Sequence, residues 1–112
     1  MKKGPTPREG GRNTLYVDTI PHGSNKVVNP NELDKPNILE REAYDEAIIT
    51  NANSSQLNSK ALFNVLRSLK KGCKCTITLG SRAEAENIAE MGKIAGFIAS
   101  SVSGSTVTLY KS

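Results

Sequence analysis

The sequence has one histidine and no tryptophan, which narrows its chemistry before any pattern is read. His22 stands in a turn between Pro21 and Gly23. With no second imidazole, a catalytic triad or a histidine-based metal site has too few members. Two cysteines are present, Cys73 and Cys75, one residue apart. In a strand their side chains project in parallel, so they cannot close an ordinary disulfide. They also lack the two-residue spacer of metal and redox pairs. Reduced thiols packed toward a core fit a cytoplasmic protein. No glycine-rich G-x-G-x-x-G turn and no G-x-x-x-x-G-K phosphate loop occurs. Gly10-Gly11 precedes the first strand-like run, on the wrong side to cradle a cofactor. No apolar run reaches the ~18 residues of a membrane span, and no signal-peptide pattern opens the chain. The net charge of +4 and pI of about 9.2 are only mildly basic. The basic residues are scattered and stacking aromatics are few, so nucleic acid is a disfavoured partner and a solubilising surface the simpler reading.

What is present is organised around Tyr44 to Leu79, which reads as strand, helix, strand. Ala47, Ile48 and Ile49 stand in a row, as in a strand covered on both faces. Asn51 to Ser55 is turn-prone. Leu62, Val65, Leu66 and Leu69 then fall at i, i+3, i+4 and i+7, one helical face. Asn58 or Ser59 caps that helix, Lys70 and Lys71 occupy its last turn, and Gly72 stops it. In the next run Cys73, Cys75, Ile77 and Leu79 alternate with Lys74, Thr76 and Thr78, as in a half-buried strand. A unit of this length is a parallel crossover.

The flanks extend that unit. Residues 1–12 hold no apolar side chain after Met1 and read as a disordered basic arm. Residues 13–112 read as a single domain. Thr14–Ile20 is a strand ended by Pro21, and Val27-Val28 a short extended piece. Asn29 to Ile38 is a loop with a helical turn at Glu32–Asp34, and Leu39–Ala43 another turn. After Leu79, Ser81 and Glu84 have capping-box spacing. A helix follows, with small residues along one face and Gly96 as its stop. Gly92 inside it costs about 1 kcal/mol against Ala, which points to close backbone packing. Phe97–Val102 and Thr106–Tyr110 flank Ser103-Gly104-Ser105 as a hairpin. The fold class is α/β, with a parallel centre and an antiparallel C-terminal hairpin.

No catalytic set emerges. Asp45 and Glu46 project to opposite sides of a strand. Ligands of open α/β sheets bind beyond the carboxyl ends of parallel strands, so Thr50–Ser55 and Gly80–Arg82 mark a pocket rim, with Asn51, Asn53, Ser54 and Ser55 as its lining.

The motif order is similar to something known. YDEAIIT, SKALFNVLRSLKKG, CKCTITL, a helix ending AGF and a terminal hairpin resemble the second half of the Rossmann-like S-adenosylmethionine-dependent methyltransferase fold. The closer resemblance is to the N-terminal methyltransferase-like domain of the anamorsin family of cytosolic iron–sulfur assembly proteins. Leu66 to Gly72 and Ala95-Gly96-Phe97-Ile98 carry it, over about Tyr44 to Lys111. Lys71 stands where that family often has proline. The resemblance implies a non-catalytic docking module for a diflavin reductase and iron–sulfur assembly proteins, holding no cofactor itself; a monomer is expected. Iron–sulfur clusters would belong to a cysteine-rich C-terminal region absent from this sequence. Lys60, Arg67, Lys70, Lys71 and Lys74 would be the partner surface, and no residue would be catalytic or metal-binding. Two other readings stay open: a fragmentary or minimal methyltransferase, and a small basic nucleic-acid-binding protein.

Overall fold

The computed structural model describes residues 13–112, so the arm expected at residues 1–12 lies outside it. The strands are β1 (Thr14–Val17), β2 (Lys26–Val28), β3 (Tyr44–Ile49), β4 (Leu69–Thr78), β5 (Ala99–Ser103) and β6 (Thr106–Tyr110), with helices α1 (Ser59–Ser68) and α2 (Arg82–Ala95). They form a six-stranded sheet in the order β2-β1-β3-β4-β6-β5. The contacts among β1, β2, β3 and β4 are parallel. The β5–β6 hairpin joins β4 through an antiparallel contact. The expected α/β architecture, parallel in the middle with a reversed end, is therefore the observed one.

Burial follows the strand period of two. Leu15, Ala47, Cys75 and Leu109 stand in register across the sheet, and so do Val17, Ile49, Ile77 and Val107. All eight are fully buried. The apolar faces of both helices cover these rows. Ala61, Leu62 and Val65 of α1 and Ala85, Ile88 and Ala89 of α2 are buried. The helices touch each other, and each touches the sheet, so both lie on the same face. A methyl group added at Gly92 would come within 2.7 Å of the Leu109 side chain, so the absent side chain is what lets α2 lie close to β6.

Among the described residues no helix covers the opposite face. Tyr16, Ile48, Thr76 and Thr108 form the alternate row and are half-buried, with Ser101 exposed at its end. The expectation that the strand at Tyr44–Thr50 is covered on both sides is corrected here. Ile48 faces the open side while Ala47 and Ile49 face the helices.

The end of α1 also departs from expectation. The helix begins on an Asn58 cap, whose side chain accepts from the Ala61 amide. It stops at Ser68, and Lys70, Lys71 and Gly72 belong to β4. The reason is tertiary. The carbonyls of Arg67 and Ser68 accept the backbone N–H groups of Ala43's neighbour Glu42 and of Ala43 itself, each at 2.8 Å. These bonds satisfy two of the carbonyls that the end of a helix leaves open, and Arg67 is the basic residue of the last turn in place of Lys70 and Lys71. Leu69, fully buried, then pairs with Tyr44. Tyr44 faces Leu69 but Glu46 faces Lys74, so β4 bulges between them, and the left-handed Gly72 (φ +79°) lies in that bulge.

Smaller differences concern element ends. The first strand stops at Val17 rather than Ile20, and β5 starts at Ala99. The early helical turn is a 3-10 turn at Pro30–Glu32, capped by the Asn29 side chain, and Leu39–Ala43 is not helical. The Ser81 hydroxyl caps α2 by accepting from the Glu84 amide, whereas the Glu84 carboxylate accepts from Gly80 instead of closing the box on Ser81.

Candidate functional site

From β1 the chain steps to β2 on one side and later to β3 on the other. The strand order therefore reverses between β1 and β3. In open α/β sheets the crevice beyond the carboxyl ends at such a reversal is where ligands bind.

A buried carboxylate sits there. Asp18 follows β1 and is only 3% exposed. One of its oxygens accepts the Thr19 amide and the Asn51 side-chain amide, each at 2.6 Å. The other accepts the Thr50 hydroxyl at 2.9 Å and meets His22 Nε2 at 2.6 Å. The Asn51 amide is the largest influence holding the carboxyl far below the usual carboxylate range, followed by His22 and opposed by burial. Asp18 is therefore ionised at neutral pH.

Backbone bonds place these groups. The Asp18 N–H donates to the Val28 carbonyl and the Thr50 N–H to the Val17 carbonyl, so the tips of β1, β2 and β3 are tied together. Asn51 adopts a left-handed conformation (φ +56°), which asparagine tolerates better than most residues. His22 is oriented from its other side by stacking on Tyr16, with ring centroids 4.0 Å apart and planes 5° from parallel.

The rim expected at Thr50–Ser55 and Gly80–Arg82 falls at this end of the sheet. Thr50 and Asn51 belong to the Asp18 cluster. Ser54 reaches the Glu84 carboxylate at 3.4 Å, which carries the rim across to the first turn of α2. Asp18 and His22 are the members that sequence reasoning misses. His22 lacks a carboxylate neighbour in the chain's immediate vicinity but gains one four residues back, once the turn folds. An aspartate at the end of a predicted strand, with a histidine one turn later, is the signal that could have found them.

The five basic residues do not form one patch. Lys60 and Arg67 lie on α1 beside the exposed Phe63. Lys70 pairs with Asp45 at 3.4 Å. Lys71 is exposed on β4, and Lys74 lies on the uncovered face between Glu46 and Tyr110. Cys75 is fully buried, and burial pushes its thiol well above the ordinary range. Cys73 is half-buried. Among the described residues no three His, Cys, Asp or Glu side chains gather into a metal-binding group, and no helix is long and apolar enough to cross a membrane.

Comparison with solved structures gives the arrangement a context. The chain is similar to a 16S rRNA methyltransferase of T. thermophilus solved with AdoMet and guanosine. The TM-score is 0.53 at 12% identity, over 93% of this chain and 36% of that one. It is also similar to a SAM-dependent methyltransferase of Thermotoga maritima, with a TM-score of 0.51 at 16% identity, over 79% of this chain and 65% of that one. The fold is methyltransferase-like. No protein-family model matches the sequence, and no curated protein matches it. The chain thus spans 36% and 65% of the lengths of these two structures.

This comparison overturns the expectation that the chain is not an enzyme. That expectation rested on the lack of a catalytic set, a glycine turn included, and on the anamorsin resemblance, whereas these two solved structures of like fold are methyltransferases. It lends nothing specific to iron–sulfur assembly or to docking of a reductase.

Proposed function

We propose that this chain is a minimal or partial S-adenosylmethionine-dependent methyltransferase, with the donor seated at the carboxyl rim between β1 and β3. The observation that supports this reading is the buried, ionised Asp18 cluster at the reversal of strand order, in a fold whose solved neighbours are methyltransferases.

The residues fit such a donor in chemistry. It carries a sulfonium, an ammonium and a ribose diol, and an ionised carboxylate at a strand tip suits a cation or a diol. Asp18 would hold one of these groups, with Thr50 and Asn51 beside it. The fit lacks one customary part. The link between β1 and β2 has a single glycine, Gly23, and a methyl group added there would meet nothing within 4 Å, so this turn is no close-fitting cradle. When bound, the donor supplies an electrophilic methyl carbon to a nucleophile on the acceptor. The chain's own part is to bind and orient. Four hydrogen-bonding groups keep Asp18 ionised and aimed, and the ends of β1 and β3 hold it on rigid elements. A ligand hydroxyl joins this cluster by sharing or displacing the Thr50 hydroxyl or the Asn51 amide.

The test is thermal unfolding with increasing S-adenosylmethionine. A ligand at a hundred times its dissociation constant adds about 2.7 kcal/mol, so the midpoint rises with concentration. Asp18→Asn, if folded, shows a smaller rise at each concentration. A midpoint indifferent to millimolar donor and to its demethylated product removes the proposal. Kinship with the anamorsin family is a narrower reading, carried by Leu66–Gly72 and Ala95–Ile98. No feature of the rim favours its reductase partner.

A further inference from the structure

A second candidate site lies away from the rim, on the outer surface of α1. Lys60, Phe63 and Arg67 fall at i, i+3 and i+7 and so share one stripe of the helix. Phe63 is 46% exposed, which is unusual for so large an apolar side chain in a protein with only two phenylalanines. The three residues line a groove of about 310 Å³ whose far wall is Asp34, Pro36 and Asn37. That wall is fixed. The Asn64 side-chain amide donates to the carbonyls of Leu33 and Lys35, at 2.8 and 3.0 Å, and the Asn58 amide donates to Asp34 at 3.2 Å. On the other side of Phe63 a second groove, lined by Ser59, Lys60, Phe63, Ile94 and Ala95, continues the track toward the end of α2. Ile94 is 72% exposed there.

We propose that this track binds single-stranded nucleic acid, with a base stacked on Phe63 and flanking phosphates on Lys60 and Arg67. Three features select this ligand. An exposed aromatic ring in a groove is a stacking platform for any base. The two cations stand about 10 Å apart along the helix axis with the ring between them, which leaves room for one base between two phosphates. The Asp34 carboxylate on the opposite wall keeps phosphates to the α1 side and accepts from base amino groups. An acidic protein surface would use the cations but would have no reason to need an exposed ring between them. The proposal does not depend on methyl transfer at the rim, and binding is measured with no donor present.

The experiment uses the full chain and fluorescent RNA and DNA single strands of about eight nucleotides, within the usual site size. Affinity falls with salt, with a logarithmic slope of about −1.4 for two phosphate contacts at about 0.7 each. Phe63→Ala weakens binding about tenfold while leaving that slope in place. Phe63→Leu, which keeps apolar volume without a ring face, loses about as much. Lys60→Gln or Arg67→Gln lowers the slope by about half. An abasic strand binds the wild type about as weakly as the normal strand binds Phe63→Ala. The proposal is overturned if no strand binds at low salt, or if Phe63→Ala, shown folded by its thermal midpoint, binds like the wild type. It is also overturned if polyglutamate binds as tightly as the oligonucleotide and displaces it.

Discussion

The two faces of the sheet are made by alternate residues of the same strands, yet they are different surfaces. Leu15, Ala47, Cys75 and Leu109 are fully buried under α1 and α2, whereas Tyr16, Ile48, Thr76 and Thr108, one residue along, are half-buried beneath no described helix. Parallel sheets are usually covered on both sides and read as continuous apolar runs. This one alternates instead, with threonine repeating on the uncovered side of β4 and β6. The threonines keep β-branched packing while presenting hydroxyls outward. Stability is therefore concentrated on one face.

The largest effect that would test this contrast is expected at Ile77, fully buried between Ile49 and Val107. Ile77→Ala is expected to cost about 2–5 kcal/mol, read from the shift of the urea midpoint at unchanged slope. Gly92→Ala comes next. Helix propensity favours alanine by about 1 kcal/mol, but overpacking against Leu109 costs about 1–3 kcal/mol, so the net change is a loss of up to about 2 kcal/mol. In a Leu109→Ala background the space is free and the same substitution becomes neutral or stabilising, a coupling that a double-mutant cycle measures. Thr76→Val on the open side should move stability by no more than about 0.5 kcal/mol in either direction. If it cost as much as Ile77→Ala, the two faces would not differ and the contrast would be lost.

The rim adds a dependence on pH. The Asp18 carboxyl is held far below its unfolded value of about 3.9, so its contribution is fully present above that value. It is lost as pH falls toward the folded-state value. The gap in thermal midpoint between the wild type and Asp18→Asn should therefore be full at pH 7 and close progressively below about pH 4. A gap that is constant from neutral to acid would mean that the ionised carboxylate stabilises nothing.

Much of the fold was legible because it rests on local pattern. The alternation from Cys73 to Leu79 and from Thr106 to Tyr110, the Asn58 and Ser81 caps and the closeness implied by Gly92 are all visible in a line of letters and are all observed. What was not legible depends on distant partners. The stop of α1 at Ser68 is set by Glu42 and Ala43, and the Asp18 cluster by Asn51 from the loop after β3. Coverage of only one face cannot be read from Ala47-Ile48-Ile49, because an apolar run looks the same with one cover or two. The Lys60–Phe63–Arg67 stripe lies between these cases. Its helical spacing is in the sequence, but a count of basic residues without their phase leaves it scattered.

The most direct measurement of the central claim is an amide-resonance titration of the chain with S-adenosylmethionine. The account predicts saturable shifts centred on Asp18, Thr19, Thr50 and Asn51, weakened in Asp18→Asn. A spectrum unchanged at millimolar donor, or shifts gathered elsewhere with the rim unmoved, would contradict it.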